Sequence, residues 1–350
     1  MRCSSERKPA ARGACPAGPG GALRGRLLPA GLLCVLLMLT GCSSSPIPHR
    51  ERYPDFAAMR AELGPLRPGE TSETDRIREH YADATRGLPA ARHDTGLVEA
   101  GPVEAAVHLF HPGSSQPRGT VVAVHGYLAH AEQLSHLVRR LLQENWVVVA
   151  PELPGHGLSG GERGYIAEFA DYAVFLDEVL DAAGAWAPQP WHAVGHSTGA
   201  TTIFELIRTT RDPFRRVILA APLVRSKYYG ASRAARTLSR PFMDYVATGY
   251  DDPLGVARMP MAWFDAQVAW NRRVRGMEPI RREVLVQQGT RDMVVAWRRN
   301  RRFLERVMPE LRYLRYPGAD HVLYREDPPL RRQIIDDAAR YLSSGAVASP

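Results

Sequence analysis

Residues 194–199 read VGHSTG, a serine between two glycines that joins an apolar run to a helix-forming one. The residues before Ser197 are typical of a buried strand, and TTIFELIRTT after it is typical of a helix. Gly195 and Gly199 permit a sharp strand-to-helix turn that exposes the Ser197 hydroxyl above a sheet, as a nucleophile requires. The pattern is short, and the alternative is that Ser197 only caps the helix. The rest of the chain has to decide between them.

Strand-like and helix-like segments alternate through most of the chain. The strand-like runs are rich in β-branched residues and lie at 103–110, 120–126, 146–152, 191–197, 215–224, 282–289 and 311–319. Helix-length segments lie between or after them, at 131–145, 167–183, 201–210, 298–308 and 328–344. Such alternation predicts a doubly wound, mostly parallel sheet with helices on both faces. In sheets of this kind, ligands bind at the carboxyl ends of the strands.

Two further residues fall at predicted strand ends in the order that a serine nucleophile requires. Asp292 follows the run ending at Gly289, and His321 follows the last strand. Each alone would be an ordinary turn or surface residue. Because they come in the chain order Ser, Asp, His and at one sheet edge, we expect Ser197, Asp292 and His321 to form a catalytic triad.

The loop after an earlier strand is expected to help hold an oxyanion. The stretch HGYLAHAEQ (125–133) directly follows TVVAV, and its His-Gly pair lets the backbone turn toward Ser197. We expect the backbone N–H groups of Tyr127 and Thr198 to form the oxyanion hole. The alternative is that the His-Gly pair is a generic turn.

A long interval without a clear strand separates the strand near Val224 from the one near Glu283. An insertion of that length in a compact sheet is usually a subdomain with its own role, and we interpret residues 225–281 as a helical lid. Its aromatic and Met residues suit either packing on the core or a lipid substrate, and its excess of basic residues would suit a phosphate-bearing head group.

Taken together, the motifs HGYLAHAEQ, PGHGLSGGERG, VGHSTGA, QGTRDMVV and GADHVLYRE resemble the α/β-hydrolase superfamily. More narrowly, they are similar to its monoacylglycerol lipase and lysophospholipase branch, of the serine aminopeptidase S33 type, over residues 97–343. The resemblance implies the triad and oxyanion hole above and a serine hydrolase that cleaves carboxylic esters of lysophospholipids or monoacylglycerols without a cofactor or metal. Two departures, Glu152 in place of Asp and Thr-Ala in place of Met-Gly after the nucleophile, weaken any transfer of substrate preference.

The first 41 residues predict an export signal rather than part of the fold. A basic leader precedes the apolar run from Leu27 to Cys42, which is too short and too interrupted by Pro29 and Gly31 to span a bilayer. Its last residues, LTGC, resemble a bacterial lipobox, which implies cleavage before Cys42 and lipidation of its thiol. Residues 42–96 are then a tether and an N-terminal helical extension.

We therefore expect an acylated lipoprotein of the bacterial cell envelope. Ser43 in place of Asp after the cysteine resembles the sorting signal of outer-membrane lipoproteins, which implies the periplasmic face of the outer membrane, with the inner membrane as the alternative. Multiple acyl chains hold a protein on a membrane stably, whereas one binds marginally. The other three cysteines lie in the predicted signal, so no disulfide is expected.

The charge of the chain argues against a nucleic-acid partner, and two functions remain as rivals to an esterase. The formal charge of +8 falls to +3 without residues 1–41, which is no nucleic-acid footprint. His49, His80, His93, His108 and His111 show no metal-ligand spacing. The rivals to an esterase are a peptidase on the same scaffold, which would need an acidic pocket for a substrate amine, and a non-catalytic envelope lipoprotein.

Overall fold

A computed structural model of the protein describes residues 54–70, 75–239, 243–249 and 252–344. The predicted export signal, Cys42 and the tether that follows lie outside the described residues.

A central sheet runs through the described chain. Its strands are β1 (Arg92–Ala100), β2 (Val103–His111), β3 (Thr120–Val124), β4 (Val147–Pro151), β5 (Trp191–His196), β6 (Val217–Ala220), β9 (Leu285–Gly289) and β10 (Arg312–Tyr316), in the order β1-β2-β4-β3-β5-β6-β9-β10. β1 and β2 form an antiparallel hairpin, β2 pairs antiparallel with β4, and every other pair is parallel. The predicted, mostly parallel sheet is confirmed.

Helices cover the sheet on both faces. They are α1 (Pro54–Ala61), α2 (Asp75–His80), α3 (Ser135–Gln143), α4 (Phe169–Ala183), α5 (Thr198–Thr209), α6 (Tyr229–Ser239), α7 (Met261–Arg273), α8 (Trp297–Val307) and α9 (Pro328–Ser344). Alternate residues of β3 enter different apolar clusters: Val122 and Val124 pack with α4 and α5, whereas Val121 and Ala123 pack with α3 and α9. The period of two in a strand therefore gives the sheet two buried faces, which is why its central strands are apolar throughout.

The segment expected to be a helical lid lies between β6 and β9. It contains α6 and α7, and between them a two-stranded antiparallel hairpin of β7 (Tyr245–Ala247) and β8 (Arg258–Pro260) that the sequence did not predict. Strands of three residues are too short to show a period of two. α7 packs inward through Trp263 and Trp270, which are both buried.

The sheet begins earlier than predicted. The expected boundary between residues 96 and 97 lies inside β1, which starts at Arg92. The first half of β1 buries His93, Asp94 and Thr95, so it has polar residues where a strand pattern would show apolar ones. Side-chain hydrogen bonds satisfy these residues and keep them in the core, since Thr95 Oγ1 lies 3.0 Å from His93 Nε2 and the Gly69 N–H donates to Asp94.

The N-terminal extension is fastened to the sheet through a buried carboxylate. Tyr81, 1% exposed, donates its hydroxyl to Glu152 Oε1 at 2.5 Å, and the Glu152 side chain also accepts from the backbone N–H groups of Ala131 and Leu158. Burial alone would raise the pKa of Glu152, but His108 and the Tyr81 hydroxyl hold it below its ordinary value. Glu152 is thus an ionised, fully buried group that depends on these donors.

We expect Tyr81→Phe to lower the free energy of unfolding by about 1.5–3 kcal/mol, because it removes a hydrogen bond to a buried charge. Urea denaturation of the soluble protein measures this. Tyr245→Phe is the matched control: its hydroxyl also donates to a carboxylate, Glu162 Oε1 at 2.9 Å, but the residue is 41% exposed. The control should change stability by less than about 0.5 kcal/mol, and equal effects of the two variants would contradict the anchoring role.

Candidate active site

The turn between β5 and α5 holds Ser197 in a backbone conformation that only glycine adopts readily, with φ 53° and ψ −111°. Such a conformation costs on the order of 1–3 kcal/mol and persists only where the surroundings enforce it. The Ser197 N–H donates to the Ala220 carbonyl at 2.8 Å, and the Ser197 carbonyl accepts from the Leu223 N–H at 3.2 Å. Hydrogen bonds to the end of β6 and the residues after it therefore fix the serine at the carboxyl edge of the sheet.

The two glycines of the turn are required by close packing. A Cβ on Gly195 would lie 2.5 Å from the backbone nitrogen of Ala200, and one on Gly199 would lie 2.2 Å from the carbonyl oxygen of Val124. These distances leave no room for a side chain. The first turn of α5 therefore rests directly on β3 and β5, as a strand, sharp turn and helix around a nucleophile would require.

The structure brings the three predicted side chains together. His321 Nε2 lies 3.0 Å from Ser197 Oγ, and His321 Nδ1 lies 2.8 Å from Asp292 Oδ2. A carboxylate accepts hydrogen bonds, so Nδ1 carries the proton and Nε2 is free to accept from the serine hydroxyl. All three residues are buried. The arrangement can move the Ser197 proton to the imidazole while Asp292 holds the ring in the required tautomer.

Asp292 is held in place by donors on both carboxylate oxygens. Oδ1 accepts from the backbone N–H groups of Val294 and Val295 at 2.8 and 2.9 Å, and Oδ2 accepts from Gln288 Nε2 at 2.9 Å as well as from His321. Burial alone would raise the pKa of Asp292, but these hydrogen bonds hold it below its ordinary value. The carboxylate is therefore ionised at neutral pH. Sequence reasoning missed Gln288, because nothing in the pattern around a strand end marks the residue that orients the acid.

The two predicted oxyanion donors flank Ser197. Thr198 is the first residue of α5, and a Cβ on Gly126, the residue before Tyr127, would lie 3.3 Å from Ser197 Cβ. Within the described part of the chain, the N–H groups of Tyr127 and Thr198 donate to no protein acceptor. Two free N–H groups beside a buried hydroxyl are the arrangement that stabilises an oxyanion.

Two histidines next to these residues are structural. His125 accepts from the Leu153 N–H at Nε2 and so carries its proton at Nδ1, which donates to the Gly126 carbonyl at 2.8 Å. This bond fixes the Gly126–Tyr127 peptide, whose N–H points the opposite way from its carbonyl. His196 Nε2 donates to the His321 carbonyl at 2.9 Å. Burial, followed by the nearby His321, lowers the pKa of His196 to about 3, so it is neutral.

The lid touches the oxyanion loop. The Trp263 ring stacks on the Tyr127 ring with centroids 3.8 Å apart and an angle of 15° between planes, and the Val256 N–H donates to the Leu128 carbonyl at 3.0 Å. Leu128 itself has a positive φ of 70°. The lid and the loop that carries the Tyr127 N–H are therefore one packed unit.

Histidines that showed no ligand spacing in sequence lie together in space. His93 Nε2 is 3.0 Å from His108 Nδ1, and the rings of His80 and His130 are 5.0 Å apart. Among the residues that the structure describes, His80, His130 and Asp252 have possible ligand atoms within 4.8 Å of one another. His130 Nε2 lies 3.1 Å from Asp252 Oδ2, within hydrogen-bond distance.

None of the helices in the described part of the chain combines the length and the apolar character needed to cross a bilayer. The predicted lipidation site, Cys42, and the predicted export signal lie outside that part.

Comparison with known proteins agrees with the fold and the motifs. A family model described as "Serine aminopeptidase, S33" matches residues 115–260. A monoacylglycerol lipase of Mycolicibacterium smegmatis is 24% identical over 281 residues, which are 73% of this chain and 99% of that protein. Among solved structures, a soluble variant of monoglyceride lipase from Saccharomyces cerevisiae superposes with a TM-score of 0.61 at 16% identity, covering 73% of this chain and 96% of that one. A monoacylglycerol lipase of Paleococcus ferrophilus gives 0.56 at 24% identity, covering 70% and 99%.

The protein therefore has the α/β-hydrolase fold, as its mostly parallel sheet and its superposition on these solved structures show. Its sequence is similar to the serine aminopeptidase S33 family over residues 115–260 and, at lower stringency, to monoacylglycerol lipases over most of its length.

We expect Gly199→Ala to destabilise the protein severely, because the added methyl group would press on the backbone of β3. Thermal unfolding and the yield of soluble protein measure the effect, with a loss of at least several degrees in Tm expected. Gly230→Ala in α6 is the matched control, since a Cβ there meets nothing within 4 Å. In a helix the control should be neutral or stabilising by about 0.5–1 kcal/mol. A Gly199→Ala protein as stable as the wild type would show that the packing is not as tight as described.

Proposed function

We propose that this protein is a serine ester hydrolase that cleaves monoacylglycerols or lysophospholipids through a covalent acyl-enzyme. The observation that carries the proposal is the continuous hydrogen-bonded chain from Ser197 Oγ through His321 to Asp292, at 3.0 and 2.8 Å. A hydroxyl, a neutral imidazole and an ionised, fully bonded carboxylate in this order serve nucleophilic attack on a carbonyl. A serine that only capped a helix would need neither partner.

The proposed mechanism follows from this geometry. Ser197 Oγ attacks the ester carbonyl carbon while His321 Nε2 takes the hydroxyl proton, and the N–H groups of Tyr127 and Thr198 bind the oxyanion. As the tetrahedral intermediate collapses, His321 gives the proton to the departing alcohol and the acyl group remains on Ser197. A water molecule, activated by the same imidazole, then releases the carboxylic acid. Each oxyanion donor contributes on the order of 3–4 kcal/mol to transition-state stabilisation.

The lid supports an ester rather than an aminopeptidase substrate. A peptidase that binds a free α-amine needs an unpaired carboxylate near the site. Two lid carboxylates in the described residues are already paired, Asp265 with Arg236 at 2.8 Å and Asp252 with His130 at 3.1 Å. Aromatic side chains such as Trp263 are suited to apolar acyl chains. Similarity to monoacylglycerol lipases points the same way, since those proteins are named for a lipid ester.

We further propose that Cys42 anchors the enzyme to the bacterial envelope, at the periplasmic face of the outer membrane. The basic leader, short apolar run and LTGC sequence support lipidation at this residue. A multiply acylated N-terminus would hold the domain on the surface where its substrates lie. The polar residues from Ser43 onward would serve as the tether.

We expect a fluorophosphonate probe to label the wild-type protein and not Ser197→Ala, because the probe reacts with an activated serine. Ester hydrolysis by Ser197→Ala should fall roughly 10⁴- to 10⁶-fold in kcat. The variant Ser115→Ala, at an exposed loop serine, is the matched control and should label normally. The absence of labelling in folded wild-type protein would favour a non-catalytic lipoprotein. Cleavage of a peptide substrate with a free α-amine in preference to every lipid ester would favour the peptidase.

We expect Cys42→Ala to abolish labelling of the full-length protein by radioactive palmitate when it is expressed in a bacterium. The variant should also be lost from the detergent-extracted membrane fraction. The reason is that the thiol is the proposed site of acylation. Cys34→Ala, within the segment expected to be removed, is the matched control and should remain acylated. A Cys42→Ala protein that is still labelled with palmitate would contradict this anchor.

A further inference from the structure

Two imidazoles and one carboxylate meet where three distant segments of the chain come together. His80 ends α2 in the N-terminal extension, His130 lies in the loop after β3, and Asp252 lies between β7 and β8 in the lid. Each of the three residues has a possible ligand atom within 4.8 Å of those of the other two. Two imidazoles and a carboxylate are a ligand set that binds Zn²⁺ in proteins.

The spacing of these side chains is close to what one shared metal ion requires. At metal–ligand distances of about 2.0–2.2 Å, two ligand atoms of a tetrahedral site lie about 3.3–3.6 Å apart, and two bound imidazole rings have centroids about 5 Å apart. Here His130 Nε2 lies 3.1 Å from Asp252 Oδ2, and the rings of His80 and His130 have centroids 5.0 Å apart. Small side-chain rotations are therefore sufficient to place all three ligands around one ion.

Both imidazoles have a buried nitrogen without a protein partner. His80 Nε2 and His130 Nδ1 meet no donor or acceptor among the residues that the structure describes, and His130 is only 2% exposed. Most buried polar atoms in native proteins are paired. The contact between His130 and Asp252 satisfies neither of these nitrogens, and a ring nitrogen without a proton has a lone pair that a metal ion can bind.

The carboxylate is held in position by the backbone of the lid. Asp252 Oδ1 accepts from the N–H groups of Leu254 and Gly255 at 2.8 and 3.1 Å. These bonds leave the second oxygen, Oδ2, directed at His130. Carboxylates that bind metals are usually fixed by such hydrogen bonds to the atom that does not bind the ion.

The two imidazoles are held side by side by the buried carboxylate of Glu152. His80 directly precedes Tyr81, whose hydroxyl donates to Glu152 Oε1. His130 directly precedes Ala131, whose N–H donates to the same oxygen. The extension and the loop after β3 are therefore fixed to each other next to the two rings.

We propose that His80, His130 and Asp252 bind one divalent transition-metal ion of the Zn²⁺ class. Imidazole favours such ions over Mg²⁺ and Ca²⁺, which prefer all-oxygen sites. The ion takes the place of the proton between His130 Nε2 and Asp252, and this proton moves to His130 Nδ1. Water completes the coordination, since the Asp252 side chain is 28% exposed.

The ion would act as a cross-link between the extension, the loop after β3 and the lid. His130 and Asp252 are 122 residues apart in the chain, so holding them together removes much freedom from the unfolded state. A ligand that binds only the folded chain also stabilises it. The triad does not use this ion, so the inference is independent of the proposed esterase function.

The test measures metal binding by the full-length protein, purified in detergent without a His tag and treated with EDTA. Equilibrium dialysis should show one Zn²⁺ bound per chain, and Zn²⁺ should raise Tm by several degrees. Co²⁺ in its place should give a visible absorption band from nitrogen and oxygen ligands. His80→Ala and Asp252→Asn should each weaken Zn²⁺ binding by at least about 10- to 100-fold and remove the rise in Tm.

Two matched variants control for loss of any histidine or lid carboxylate. His111→Ala removes a histidine outside the group, and Asp265→Asn changes a lid carboxylate that pairs with Arg236 at 2.8 Å. Both should bind Zn²⁺ as the wild type does. If His80→Ala folds poorly, Asp252→Asn still gives the answer, because its amide oxygen can keep the bonds to the backbone of the lid.

The inference is overturned if the EDTA-treated wild-type protein takes up neither Zn²⁺ nor Co²⁺ in an amount close to one per chain. It is overturned equally if folded Asp252→Asn binds Zn²⁺ as tightly as the wild type, which would place the ion elsewhere, such as at the cysteine thiols. Because ester hydrolysis is not measured, failure of the proposed hydrolase function would leave both results unchanged.

Discussion

The strained backbone of Ser197 is the constraint on which the rest of the site depends. Its φ of 53° is held by hydrogen bonds to Ala220 and Leu223, which follow from the pairing of β5 with β6. The same turn sets the first residues of α5 against β3, where no Cβ is tolerated at position 199. The sheet therefore stabilises a conformation that the serine would not adopt alone. As a result, the Ser197 hydroxyl, the Thr198 N–H and the imidazole of His321 lie close together.

A second buried centre, Glu152, ties the N-terminal extension to this framework. Its carboxylate accepts from Tyr81 in the extension and from Ala131 just after the oxyanion loop. One carboxylate therefore bonds both segments. His130, directly before Ala131 in the chain, contacts Asp252 of the lid, with Nε2 3.1 Å from Oδ2. Extension, loop and lid thus meet around one ionised group and its histidine neighbours.

The sequence was sufficient to select the three side chains that the structure brings together, because a triad restricts both the residue types and their positions in the chain. A nucleophilic serine needs a glycine-flanked turn, and its acid and base must lie at strand ends on the same edge, so Ser197, Asp292 and His321 could be selected in order. β1 could not be predicted over its first half, because its buried residues are polar and are satisfied by partners distant in sequence. The proximity of His93 and His108 likewise depends on the β1–β2 hairpin and on no local pattern. Gln288, which orients Asp292, has a partner that only the folded chain reveals.

Some polar groups near Ser197 have all their hydrogen-bond partners within the protein, and others have none. Asp292 accepts from four donors, and both nitrogens of His321 are engaged, so these groups need nothing from outside. By contrast, the Tyr127 and Thr198 N–H groups, the Thr198 hydroxyl and the Gln267 amide have no partner among the described residues. The Thr198 N–H directly follows Ser197 in the chain, and the Tyr127 N–H lies on the loop that contacts Ser197. The two N–H groups fit an oxyanion, which forms in the hydrolysis of every ester. On the proposed function, the residue types at the strand ends therefore set the reaction, and the unpaired N–H groups beside Ser197 bind the atom of the substrate on which negative charge develops.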